Sequence, residues 1–370
     1  MTTINALPER YFSGRLMEKI MSKDIGRRNF LKLAGGAFGL SALSYFLGVK
    51  KRVELPPPEA LPDYADSRPG FPVFRGPYFQ KDARVAAFLF SADLETLTTL
   101  CDQTLNVSES FRYKYVPMAS NVMLVFADML VSSRDERDSQ VGLIPETEAS
   151  FWVLTVAMQE TQAGDIPHHL AWFLPFLLVD ESNAIATGRE VFGFNKLAAQ
   201  FQKPEQIQKP EYSADVLGFK QFGVDAIAQR ERLLELRASS VSDLGQSSDL
   251  DSIKNGMATE LFRNMRTNLG GGLVEFASRF INDHIPLVFL KQFRDAQNTR
   301  KACYQRLIEA PLKVETFFEG GLFSEPYTLS LTSLASHPLA QSLGLKELDQ
   351  KSTLGAWMHV DFVLENGVEI

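Results

Sequence analysis

The stretch Gly188-Arg189-Glu190-Val191-Phe192-Gly193-Phe194-Asn195-Lys196 decides how the rest of this 370-residue chain is read. It sets one amine at the end of an aromatic, glycine-broken run, with the apolar Leu197, Ala198 and Ala199 after it. Burial disfavours an ammonium ion, so a lysine taken out of water can fall from a pKa of about 10.4 to roughly 5–6. A shift of ~4 units corresponds to ~5 kcal/mol of unfavourable environment, which apolar walls can supply. A neutral amine attacks ketones, and the iminium it forms draws electrons out of neighbouring bonds. Composition alone makes Lys196 a surface lysine at a strand end, because lysine is rarely fully buried. Phe192 and Phe194 alternate with Gly193, so on a strand both would face one side. That side can wall a pocket for the amine, or equally fill a core.

Working outward, further segments surround this run in chain order. Phe74-Arg75-Gly76-Pro77-Tyr78 comes before a predicted strand and helix, and Val179-Asp180 through Ala186 leads into Gly188-Arg189-Glu190. His337-Pro338-Leu339 and then Ala356 to Leu364 close the pattern. Together these segments resemble the acetoacetate decarboxylase family, in which a Gly-Arg-Glu triplet precedes a Schiff-base lysine at the spacing of Glu190 to Lys196. That family is a known case of a lysine activated by desolvation or by a neighbouring cation. The resemblance covers about residues 70–366, broken by a divergent region of about 237–282.

The resemblance implies a mainly β (α+β) fold: an antiparallel β-barrel with an internal cavity and a few peripheral helices. It implies a cofactor-independent lyase that decarboxylates a β-keto acid such as acetoacetate through an iminium on Lys196. Arg84 falls within one residue of the family's substrate-side arginine and is expected to hold the substrate carboxylate, with Phe192 and Phe194 on the pocket wall. Arg75, Arg189 and Glu190 are expected to hold the backbone around the site, Arg75 at a turn. Two departures stand out. Asn195-Lys196-Leu197 replaces the family's Pro-Lys-Lys, so depression of the amine falls to burial alone. The family's active-site glutamate lies in a Tyr-x-Glu patch, which aligns with Ser150-Phe151-Trp152 and puts Trp152 in the acid's place; Glu146 and Glu148 are close by but do not match. The alternatives are aldol or dehydration chemistry through the same Schiff base, or a non-catalytic barrel that binds a small ligand. Family members form homo-oligomers, and the same is expected here. Nothing implies a metal, nucleotide, flavin or pyridoxal phosphate.

Composition narrows the partners. A net charge of −7 and a pI near 5.4 argue against nucleic acid, which needs a basic surface. Cys101 and Cys303 are the two cysteines, so no disulfide framework is present. Five scattered histidines, two of them the adjacent His168 and His169, show no metal-ligand spacing. The length could hold one large or two ordinary domains, and a 45% hydrophobic content with 28 phenylalanines gives ample core.

The N-terminus carries a second signal. Gly26-Arg27-Arg28-Asn29-Phe30-Leu31-Lys32 matches the twin-arginine export consensus, and the uncharged segment 33–49 follows it. Residues 1–50 are therefore expected to be a signal or a membrane anchor, with residues 51–70, including Pro56-Pro57-Pro58, as a stiff linker to a domain over 71–370. Export places the mature protein beyond the cytoplasmic membrane; the alternative is an ordinary N-terminal helix in a cytoplasmic protein.

Within the domain, Val85 to Phe90 predicts a strand and Asp93 caps a helix through Leu94, Leu97 and Leu100. Asn121 to Val131, Phe151 to Met158 and Ala171 to Val179 predict further strands, Pro175 marking an edge or a bulge. Val216 to about Leu234 shows strand-like stretches around Gly218 and Gly223, with a helix over Ala226 to Leu236 as the alternative, and Ala258 to Arg266 predicts a helix ending at Gly270-Gly271-Gly272. Pro286 to Phe293 and Ala302 to Ala310 form a predicted hairpin, with late strands at Thr328 to Leu334 and Met358 to Leu364.

Overall fold

The computed structural model describes residues 61–65, 73–162, 164–238, 246–263 and 285–370. The twin-arginine run, the apolar segment 33–49, the three linker prolines and the triple glycine lie outside the described residues. Among the described residues no helix is long and apolar enough to cross a membrane.

The fold is mainly β. Its strands are β1 (Tyr78–Ser91), β2 (Lys114–Pro117), β3 (Asn121–Ser133), β4 (Ile144–Thr161), β5 (Gly164–Val179), β6 (Lys196–Ala198), β7 (Gln200–Gln202), β8 (Tyr212–Gly218), β9 (Gln229–Ala238), β10 (Gln246–Ser247), β11 (Pro286–Arg294), β12 (Ala302–Leu322), β13 (Tyr327–Leu331), β14 (Gln350–Lys351), β15 (Leu354–Leu364) and β16 (Val368–Glu369). The helices are α1 (Leu94–Thr104), α2 (Ser182–Thr187), α3 (Leu250–Arg263) and α4 (Leu339–Leu343).

The main sheet runs β2-β4-β3-β1-β15-β12-β11-β5-β6, and β4 also pairs with β5, so the hydrogen-bonded path from β4 to β5 returns on itself. Returning paths leave few free edges. The expected all-antiparallel arrangement needs one correction, because β5 pairs in parallel with both β11 and β6. A second sheet, β14-β13-β9-β8-β7, lies outside that path.

Two apolar clusters explain why the strands are so hydrophobic. Phe88, Phe126 and Phe151 on one face of the main sheet join Tyr212, Val216 and Leu234 of the second sheet and Leu97 of α1. Val85, Ala87, Val125 and Ala127 on the other face join Leu177, Phe192, Phe194 and Met257 of α3. A strand buried on both faces reads as an unbroken apolar run, as Val85–Phe90 does, rather than as an alternation. Asp93 caps α1 as expected, its carboxylate accepting from the Thr96 N–H at 2.7 Å.

Pro175 takes the bulge, one of its two expected places: it sits where the β4–β5 register shifts and where β5 changes partner from β11 to β6. A missing N–H costs nothing at such a gap. Of the two readings of Ala226 to Leu236 the strand holds: its second half lies in β9, where Leu233, Leu234 and Leu236 fill the first cluster from an extended backbone. α3 begins at Leu250, eight residues before the expected start (258 − 250), with Ser252 N–H capped by Asp249 at 2.7 Å.

Candidate active site

β5 ends at Val179, and the chain then turns through α2 instead of continuing extended. Glu181 caps α2, its carboxylate accepting from the Ala184 N–H at 2.9 Å. Gly188–Phe192 follows as one π-helical turn, closed by the bond from the Gly193 N–H to the Gly188 carbonyl at 3.0 Å. Turns of this kind recur at functional sites. The strand expected over this run is therefore replaced by a helical reversal, and Phe192 and Phe194 reach the same wall from a turn.

Gly193 leaves the turn with φ of 87°, and a Cβ there would stand 2.4 Å from the Lys291 Cα of β11. Both the dihedral and the backbone approach require glycine. Gly193→Ala is expected to lower stability by at least about 1–3 kcal/mol from the dihedral alone, a loss that chemical denaturation would measure.

β6 begins at Lys196, in parallel register with Leu177 of β5. Lys196 is only 9% exposed. Its Nζ donates to Glu146 Oε1 at 2.9 Å and lies 5.5 Å from the centroid of the Phe194 ring. Its stem crosses Gly188, where a Cβ would come within 2.9 Å of both Cδ and Cε. The glycine of the Gly-Arg-Glu triplet is thus the floor on which the amine lies. Gly188→Ala is expected to displace the Lys196 stem and loosen its bond to Glu146, a loss of stability that chemical denaturation would measure.

Glu146 and Glu148 alternate along β4 and point to one face. Glu146 is buried. The carboxyl of Glu148 is enclosed by protein, although some of the residue's surface stays exposed. Burial pushes Glu148 up to about 7, the Lys196 ammonium opposing the shift and Glu146 adding to it. One amine and two carboxyls therefore meet, one carboxyl paired with the amine and the other able to hold a proton near neutrality. Beside them is a cavity of about 40 Å³, walled among others by Gln80, Glu146, Glu181, Phe192, Phe194 and Lys196. That is space for about three waters. Tyr78, Phe192 and Phe194 form its aromatic side, Phe192 meeting Tyr78 and Phe194 edge-on at 5.7 and 5.6 Å.

A solved structure of acetoacetate decarboxylase superposes with a TM-score of 0.51 at 17% identity, covering 81% of this chain and 91% of that one. Acetoacetate decarboxylase from Legionella pneumophila gives a TM-score of 0.50 at 15% identity, covering 82% of this chain and 92% of the other. The chain has the acetoacetate decarboxylase fold. No protein-family model and no curated protein matches the sequence. At such low identity the likeness is one of fold, and the chemistry has to be argued from side chains.

On this acetoacetate decarboxylase fold the expected site residues separate. Lys196, Phe192 and Phe194 come together at the cavity. Arg84 is exposed on β1, in register with Asp128 of β3, which is itself opposite Thr147. By strand alternation Arg84 stands on the sheet face away from Glu146 and Glu148. Trp152 shares their face but lies four residues past Glu148, roughly 13 Å along the strand. There its indole N–H donates to Ser150 Oγ at 2.7 Å and its ring meets Trp172 edge-on at 5.7 Å. Arg75 holds a turn, its guanidinium on Asp138 Oδ1 at 2.6 Å and its carbonyl accepting from Ser133. Arg189 is exposed and makes no hydrogen bond to Glu190 among the described residues, while the charge of Glu190 reaches Tyr78 and Lys291.

Glu146 and Glu148, close to the aligned patch but unmatched to it, are the carboxyls that the fold brings to the amine. Two carboxylates at alternate positions, entering an otherwise apolar strand, were the signal available.

Proposed function

We propose that this protein is a cofactor-independent Schiff-base lyase whose nucleophile is Lys196. The observation that carries this reading is the buried Lys196–Glu146 pair at 2.9 Å on a cavity wall, with Glu148 raised to about 7 beside it. Likeness of fold to acetoacetate decarboxylases supports it.

A buried ion pair is one proton transfer from a neutral pair. Once Nζ hands its proton to Glu146, the free amine can attack a carbonyl in the cavity. Glu148, protonated up to about pH 7, gives a proton to the departing hydroxyl, and water leaves to form the iminium. From a β-keto acid, the bond to the carboxylate then breaks, carbon dioxide departs and the electron pair forms an enamine. A proton returns to carbon, and water frees the ketone and Lys196. From a β-hydroxy carbonyl compound the same iminium drives retro-aldol cleavage or dehydration. This second reading gains from Arg84, the residue expected to hold a carboxylate, which stands on the opposite sheet face.

Borohydride trapping with acetoacetate and longer 2- and 3-keto acids, followed by peptide mass spectrometry, tests the Schiff base. The expected result is a reduced adduct on Lys196 that Lys196→Ala lacks. Absence of an adduct across carbonyl ligands would leave a ligand-binding protein on an enzyme fold.

A further inference from the structure

The polar groups on the cavity wall are nearly all engaged. Tyr78 donates its hydroxyl to the Phe74 carbonyl at 2.5 Å, Glu181 caps α2, Thr187 donates to Asn183 Oδ1 at 3.4 Å, and Lys196 holds Glu146. Gln80 differs. Its Oε1 is fully enclosed and accepts no hydrogen bond. A buried amide left unmatched is unfavourable, and such groups in folded proteins are commonly completed by a ligand or a water.

Register places that amide opposite the reacting amine. Gln80 on β1 pairs with Val131 of β3, which pairs with Ile144 of β4, and Glu146 is the next residue along that face of β4. Two inter-strand steps, roughly 10 Å, separate the β1 and β4 backbones. The amide and the Lys196–Glu146 pair therefore bound one cavity from two sides.

We propose that Gln80 is a specificity-determining residue that hydrogen-bonds an uncharged oxygen of the substrate, and that the substrate is a small β-hydroxy or β-dicarbonyl compound without a free carboxylate. The inference rests on the Schiff-base reading of Lys196. A carboxamide offers one acceptor and two donors, interchanged by rotation of the amide, so it serves a hydroxyl or a carbonyl equally. The one cation on the wall, Lys196, is already paired with Glu146, and Glu181 adds a carboxylate, so among the described residues no free cation faces the cavity to hold an anion. The space of about 40 Å³ suits a few substrate atoms.

With a β-hydroxy ketone the step balances. Nζ bonds the ketone carbon and water leaves. The Glu148 carboxylate takes the β-hydroxyl proton while a Gln80 N–H holds that oxygen. The bond between the α and β carbons breaks, its electron pair forming the enamine as the β carbon becomes an aldehyde. Glu148 returns the proton to the α carbon, and water releases the ketone.

The test is borohydride trapping at Lys196 in the wild type, Gln80→Leu and Gln80→Glu, with 4-hydroxybutan-2-one, pentane-2,4-dione, acetoacetate and acetone. Wild type should be half-modified by the two neutral difunctional compounds at concentrations at least ~10-fold below acetoacetate, and Gln80→Leu should raise those concentrations ~10–100-fold. Acetone, which has no second oxygen, should react alike in wild type and Gln80→Leu, and this also shows that the variant is folded. Preferential trapping of acetoacetate by the wild type, or an unchanged response in Gln80→Leu, would overturn the role of Gln80 while leaving the Schiff base standing. Failure of every compound, acetone included, would remove the Schiff-base reading and this inference with it.

Discussion

Lys196→Ala should lose all detectable borohydride adduct and carbonyl turnover, and should also be markedly less stable. The chemical loss follows from removing the proposed nucleophile, for which no other amine in the cavity wall substitutes among the described residues. The loss of stability follows from the pair. Glu146 is buried and its partner is Lys196 Nζ, so deleting the amine strands a carboxylate in a low-dielectric site. Breaking one half of a buried pair costs about 3–5 kcal/mol, whereas replacing both halves with uncharged groups of similar size is often neutral. Lys196→Met combined with Glu146→Gln should therefore recover most of the stability and none of the activity. Urea denaturation of the wild type, the single variant and the double variant measures both. Equal destabilisation of the two variants would mean that the pair is not what holds this wall together.

The second large effect is expected at Glu148, and it depends on pH. Its carboxyl is raised from 4.5 to about 7, chiefly by burial. The folded protein therefore keeps a proton that the unfolded chain releases above 4.5. The stabilisation is fully present below that value, falls as pH rises, and is gone above about 7. A shift of this size corresponds to about 3 kcal/mol at ~1.36 kcal/mol per unit. Glu148→Gln should flatten the decline in stability between those two values while lowering kcat/KM by roughly 10²–10⁴-fold, the usual contribution of a general acid–base group. The wild-type rate should decline above about pH 7 as the donor ionises. A wild-type profile flat through neutrality, or a Gln variant that keeps its rate, would remove Glu148 from the proton transfers.

Much of the fold was legible because its signals are local. Val85–Phe90 reads as a doubly buried strand, Asp93 as a cap, and the Pro286–Ala310 region as a hairpin, each from its own few residues. The π-helical turn at Gly188–Phe192 was not legible, because a run of alternating Phe and Gly satisfies a strand equally well until Gly193 must pass the Lys291 backbone. Arg84 looked well placed by distance along the chain. Strand alternation decides its face, and that depends on a register shift between Lys81 and Arg84 that no local pattern shows.

What the sequence by itself determined is the β-rich class of the fold and the aromatic residues beside Lys196, while the proposal of Lys196 as a nucleophile came from the resemblance of its segment to the acetoacetate decarboxylase family. The first two rest on neighbours in the chain and on patterns of burial. The tertiary structure alone decided which carboxylates the amine meets. Glu146 lies 50 residues before Lys196, and the two touch because β4 pairs with β5 while β5 pairs with β6. A buried charge takes its chemistry from whichever groups the sheet brings within about 4 Å, and that distance is set by pairing between strands rather than by spacing along the chain.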